Sequence, residues 1–354
     1  MTLPRIVLHR LVSHRISNWS LVQGNKMKIL AVDDDPIILE LLTEVLRAAG
    51  FGNLTVCNSA TEALAEIDRV NVPFDCFLLD IQMPEVDGIE LTTQIRRIDE
   101  YRNSPILMIT AMSDRTYIDR AFNAGASDYI TKPFDVLEIH SRLRLIQSLL
   151  SEYRSLEERN PTPQLNSPAS TVTAADLEKR LSLRGIDGFI DFLALENYLL
   201  QISRVSLYDM IAFGIVVPDM ARAFRASSVF EFEAAVSDFA EAISECLKPD
   251  LFFASHAGEG RFVCVLTNAS NFAPDAFETR LSRTVREMDL HFCDGRAISQ
   301  TPVVGESISL ELTASRDISD ALFQALQSAE ARALCPVPQE RAPSSKLKRL
   351  LGIG

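Results

Sequence analysis

Five strand-length runs, at 28–33, 53–57, 75–80, 105–110 and 127–131, alternate with helix-length segments along the N-terminal part of a 354-residue chain. Runs such as Ile29–Val32 and Ile106–Ile109 are apolar at consecutive positions, as strands buried on both faces are. The segments between them are punctuated as helices. Asp35 can cap the first, Pro36 suits its opening position and Gly50 ends it, while Ile38, Leu41, Leu42, Val45 and Ala49 line one face. Asp135 and Glu138 form a capping-box-like start to the fifth. Five βα units with short loops predict an α/β domain, a parallel sheet with helices on both faces.

Polar residues gather at the C-terminal ends of these strands, where open α/β sheets place their chemistry. Asp33-Asp34-Asp35 follows the first strand, Asp80 ends the third, Thr110 ends the fourth, and Lys132 follows the fifth. Forming an acyl phosphate on a carboxylate requires an ionised nucleophile, neutralised phosphoryl oxygens and in-line geometry. Asp33, Asp34 and Asp80 offer a seat for Mg²⁺, which would supply most of the neutralisation. Lys132 adds a mobile point charge and Thr110 a hydroxyl. The set therefore predicts a magnesium-assisted phosphoryl-accepting site.

These residues resemble the receiver domain of two-component response regulators, a flavodoxin-like (βα)5 fold. The resemblance covers residues 28 to 148. It is carried by Val32-Asp33-Asp34, Leu79-Asp80-Ile81-Gln82-Met83-Pro84, Asp87-Gly88, Ile109-Thr110-Ala111 and Lys132-Pro133-Phe134. It implies that Asp80 is the phosphoacceptor, with Thr110 and Lys132 assisting. It also implies that Asp34, Asp80 and the backbone carbonyl of Gln82 hold Mg²⁺, with Asp33 contributing through water. Thr110 and Tyr129 look like the paired switch residues, the hydroxyl drawn toward the phosphoryl group and the ring following into the space left. The Lys132-Pro133 bond is expected to be cis. A histidine kinase or phosphotransfer protein is the implied donor.

The rest of the chain is less regular. Residues 1–26 carry Arg5, Arg10, Arg15 and Lys26 with no acidic residue and read as a disordered leader; Met27, immediately before the first strand, is an alternative start. The fifth helix continues beyond the domain, with Ile139, Leu143, Ile146, Leu150 and Tyr153 at four-three-four spacing. Two readings of that seam stay open: a coiled coil that makes a homodimer, or a terminal helix packing on its own sheet. Pro161, Pro163 and Pro168 mark a linker, so that 149–175 is extended helix and linker, 176–333 an output domain and 334–354 a flexible tail.

After residue 204 strands are expected at 205–217, 250–256, 261–267, 297–300 and 306–314, and helices at 219–226, 228–247, 274–288 and 317–333. This order, with the hairpin that contains Gly258-Glu259-Gly260-Arg261-Phe262, resembles the α/β palm-like diguanylate cyclase (GGDEF) domain. The departures are chemical. Gly260 and Arg261 stand where that family carries hairpin acids, Val216 where it carries a metal-binding carboxylate, and Glu259 where a glycine lets backbone approach phosphate. A degenerate, non-catalytic output domain that binds a partner protein is therefore expected. The alternative is an active or nucleotide-binding domain with relocated ligands such as Asp219 and Glu259. Arg261 is expected either to be a solvated tip residue or to grip an anionic ligand or partner.

A net charge of −13 argues against a nucleic-acid output, and no apolar run is long enough for stable insertion in a membrane. The six cysteines are scattered without a CxxC pair, which favours buried free thiols and a cytoplasmic location.

Overall fold

The computed structural model describes residues 27–111, 115–133, 136–159, 172–183, 185–202, 207, 210–225, 227–267, 269, 272–292, 294–310 and 318–334. The leader 1–26, Phe134, Asp135, the linker prolines, Cys293, Cys335 and the tail beyond Leu334 lie outside the described residues. The chain divides into two compact units. One takes in the chain up to Ser170 together with Phe189–Ile202; the other takes in Thr171–Gly188 and the chain from Ser203 onward. The expectation had placed all of 176–333 in one output domain, so the segment 189–202 differs from it.

The first unit runs β1 (Ile29–Val32), α1 (Pro36–Ala48), β2 (Leu54–Cys57), α2 (Ala60–Arg69), β3 (Cys76–Asp80), α3 (Gly88–Arg97), β4 (Ile106–Thr110), α4 (Arg115–Asn123), β5 (Asp128–Thr131) and α5 (Val136–Arg159). Its strands pair in parallel in the order β2-β1-β3-β4-β5. The order reverses between β1 and β3, which opens a crevice at their C-terminal ends. Alternate residues divide the sheet. Ile29, Ala31, Leu78, Leu107, Ile109 and Ile130 form one core with α1 and α5. Met108, Thr110 and Tyr129 have the opposite parity, so they project from the other face.

Local chemistry sets the helix starts, at α1 as expected. Asp35 caps α1 by accepting from the Ile37 N–H at 2.8 Å, with Pro36 in the first turn. Asp87 caps α3 by accepting from the Glu90 N–H at 2.7 Å. The buried face of α1 is shifted from the expected one: Leu39, Leu42, Val45 and Leu46 are inside, while Ile38 and Leu41 pack at the core margin. In the seam of α5, Ile139, Leu143 and Ile146 are buried in the unit's own core, and Leu150 packs against it, as the reading of a terminal helix on its own sheet expects. A four-three-four spacing describes any amphipathic helix face.

The second unit contains α6 (Ala174–Glu178). The remaining helix of the first unit, α7 (Phe192–Gln201), comes next in the chain. The second unit then continues with β6 (Ile211–Val216), α8 (Met220–Ala223), α9 (Val229–Leu247), β7 (Phe252–Gly258), β8 (Arg261–Leu266), α10 (Pro274–Glu287), β9 (Val303–Val304), β10 (Ile308–Ser309) and α11 (Ile318–Leu334). The sheet order is β10-β6-β8-β7, all antiparallel, with β9 also on β6. Within 205–217 the described strand is the shorter Ile211–Val216, and 297–300 is not a strand: Ala297 makes one isolated bridge to His291. Gly214 lets α11 approach β6, since a Cβ there would lie 2.4 Å from the Ala325 carbonyl oxygen. The hairpin joining β7 and β8 turns on Glu259 and Gly260, both at positive φ, as a tight two-residue turn requires.

The described cysteines Cys57, Cys76, Cys246 and Cys264 are buried free thiols, and burial pushes Cys57 and Cys76 up to about 12.

Gly88 opens α3 against the end of β3. A Cβ there would lie 2.0 Å from the Asp80 carbonyl oxygen and 2.9 Å from its carbon, so only glycine fits beside that backbone. Gly88→Ala should cost about 1–3 kcal/mol in denaturant unfolding. Gly52→Ala, where a Cβ meets nothing within 4 Å, should stay within about 0.5 kcal/mol of the parent.

Candidate functional site

The crevice between β1 and β3 collects the polar residues expected there. Asp33 leaves β1 fully buried, Asp34 next to it is exposed, and Asp80 ends β3 only 3% exposed. One carboxylate oxygen from each lies within 4.8 Å of the others, the only such three-ligand group among the described residues. Lys132 follows β5 and bridges two of them, with Nζ 2.7 Å from Asp33 Oδ2 and 2.9 Å from Asp80 Oδ1. The backbone around them is tied down. The Lys132 N–H donates to the Thr110 carbonyl at 2.6 Å, the Ile81 N–H to the Ile109 carbonyl at 2.9 Å, and the Asp35 N–H to Asp33 Oδ1 at 3.0 Å.

Burial dominates the electrostatics of Asp80. It pushes the carboxyl up to about 6; the Lys132 ammonium opposes the rise, and the Asp33 and Asp34 charges add to it. Burial alone would lower Lys132, but its hydrogen bonds to Asp33 and Asp80, with their charges, raise it overall. Three oxygen donors with clustered negative charge are the donor set that a hard divalent cation takes. The residues therefore fit Mg²⁺.

Thr110 is fully buried at the end of β4, one position past Ile109, the register partner of Asp80. Tyr129 lies on the adjacent strand opposite Met108 and shares the sheet face of Thr110. Its ring meets Phe122 edge-on at 6.2 Å, and burial raises its hydroxyl's pKa. Gln82 follows Asp80 in the β3–α3 loop with its side chain exposed. The Lys132-Pro133 bond is cis. The close approach of Gly88 to Asp80 is a backbone effect that spacing alone does not expose.

The hairpin of the second unit holds a different arrangement. Arg261 Nε donates to the Gly258 carbonyl at 3.1 Å, Nη1 lies 3.2 Å from Glu330, and Nη2 lies 3.4 Å from Glu259. Arg261 is thus held by acids of its own unit rather than standing free at the tip. Val216 pairs with Arg261 across the sheet, and Asp219, at φ 60, faces Arg222 at 3.7 Å.

Comparison with known proteins places the likeness in the first unit. The family model described as "Response regulator receiver domain" matches residues 29–144. Among curated proteins, the chain is 37% identical over 123 residues to the transcriptional regulatory protein TrcR of Mycobacterium tuberculosis, covering 34% of this chain and 45% of that protein. It is 35% identical over 127 residues to the transcriptional regulatory protein KdpE of Staphylococcus aureus, covering 36% and 52%. It is 30% identical over 168 residues to the signal transduction histidine-protein kinase BarA of Shigella flexneri, covering 47% and 17%. The chain thus spans about half the length, or less, of these relatives. A solved putative response regulator from Chloroflexus aurantiacus is 36% identical with a TM-score of 0.33, covering 35% of this chain and 99% of that one. Residues 29–144 of this chain are a response regulator receiver domain.

Proposed function

We propose that this chain is a response regulator of a two-component phosphorelay. In this reading Asp80 accepts a phosphoryl group, and a non-catalytic output unit signals by contact with a partner protein. The observation that carries the first half is the Lys132 ammonium held between Asp33 and Asp80 at the strand ends. Receiver domains take phosphoryl groups from histidine kinases, so a histidine kinase or phosphotransfer protein is the donor. A carboxylate oxygen of Asp80 forms the new bond to phosphorus as the donor's nitrogen–phosphorus bond breaks. Mg²⁺, when bound, neutralises charge on the phosphoryl oxygens, and Asp33, Asp34, Asp80 and the Gln82 carbonyl would hold it. Lys132 can exchange its contact with the Asp80 carboxylate for one with a phosphoryl oxygen, and Thr110 offers its hydroxyl to another.

The relatives named as transcriptional regulators match within about a third of this chain, so their outputs are not carried over. For the second unit, the element order and the tight β7–β8 hairpin support a cyclase-like ancestry. The identities of Gly260, Arg261 and Val216, and the pairing of Arg261 with Glu259 and Glu330, support loss of catalysis. Two metal ions beside a triphosphate need carboxylates at that turn.

Incubation of the full chain with radiolabelled acetyl phosphate and Mg²⁺ should label the protein, and Asp80→Asn should reduce labelling to background; retained labelling would sink the phosphoacceptor role. Protons compete with the cation for Asp80. Mg²⁺ affinity read by calorimetry should therefore level off about one unit above pH 6 and fall by up to about tenfold per pH unit below it. GTP with Mg²⁺ should yield no cyclic dinucleotide; turnover would instead favour an active cyclase with relocated ligands.

A further inference from the structure

The α4–β5–α5 face of the receiver is occupied by a helix of the same chain. α7 belongs to this unit although 32 residues separate it from the end of α5, and it is fastened by polar bonds, one of them buried. The Tyr198 hydroxyl donates to Asp119 Oδ1 on α4 at 2.7 Å, and its fully buried ring meets Phe122 edge-on at 5.4 Å. Asn197 Nδ2 donates to the Ser127 carbonyl, just before β5, at 3.1 Å. At the C-terminal end of the helix, the Tyr129 hydroxyl donates to the Gln201 carbonyl at 3.3 Å, and the Gln201 amide lies against the Arg142 guanidinium of α5.

These contacts meet the acidic crevice through one short strand. β5 has four residues; Lys132 follows it into the carboxylate cluster, and Tyr129 within it and Ser127 just before it touch α7. We propose that α7 is an internal ligand of the receiver, and that phosphoryl addition at Asp80 loosens it through Lys132, Thr110 and Tyr129. This rests on the reading of Asp80 as phosphoacceptor. The new oxygens draw Lys132 out of its bridge and Thr110 toward themselves. Tyr129, on the same sheet face as Thr110, moves into the vacated space and leaves the Gln201 carbonyl. Linkage makes the effect reciprocal: weakening the α7 contacts must strengthen binding of a phosphoryl mimic by the same factor.

Hydrogen–deuterium exchange of the full chain, with and without beryllofluoride and Mg²⁺, tests the loosening. Exchange over 192–201 should rise at least about fivefold on beryllofluoride binding, the lower end of ordinary coupling between sites. Tyr198→Phe removes the bond to Asp119, and calorimetry should show it binding beryllofluoride about fivefold or more tightly than the parent. Asn197→Ala, a milder change, should shift both readouts in the same direction if Tyr198→Phe does not fold. Beryllofluoride binding with unchanged or slower exchange in α7, or with unchanged affinity in both variants, overturns the internal-ligand proposal and leaves the phosphoacceptor reading intact. Failure of beryllofluoride to bind the parent overturns both.

Discussion

The Lys132 ammonium between Asp33 and Asp80 is the contact on which the receiver depends. Carboxylates within 4.8 Å of one another repel by roughly 3 kcal/mol per pair at an effective dielectric of about 20. Two of these three are buried, which adds a desolvation cost. A cation at 2.7 and 2.9 Å offsets much of that while keeping the acids together. The arrangement is poised for replacement: a divalent ion or a phosphoryl group changes the charge balance at once, and Lys132 must follow.

The receiver was legible because its signals are local. Apolar runs, Asp35 as a cap, and polar residues at strand ends all act through neighbours a few positions away, and parallel pairing then brings the ends together. Where the result depends on distant partners, spacing carried little. The α5 seam reads equally as a coiled-coil stripe or a core face, and only α1 and the sheet decide between them. Arg261 read either as a tip residue or as one that grips an anion, because Glu330, its partner on α11, is 69 positions away. Tyr198 carries no local signal of its role, because Asp119 lies 79 positions before it.

The β7–β8 hairpin is held by contacts within its own unit. Arg261 turns back, bonding the Gly258 carbonyl and two acids. A Cβ at Gly258 would lie 2.5 Å from the Glu178 carbonyl oxygen, and the Glu259 N–H donates to the Leu177 carbonyl at 2.6 Å. The turn is thus packed against α6 and paired with Glu330 of α11.

β5 explains why one helix can serve both structure and signal. It is an edge strand, and uncovered edges invite pairing with other chains. α7 covers that edge and satisfies the Ser127 carbonyl at its entrance. A cover made of leucines alone would do this without sensing the crevice. The polar bonds differ in kind, since a buried hydroxyl on a buried carboxylate is costly to break. Such bonds fix one register of α7 on the strand, and a fixed register lets a small displacement of Tyr129 be felt by the helix.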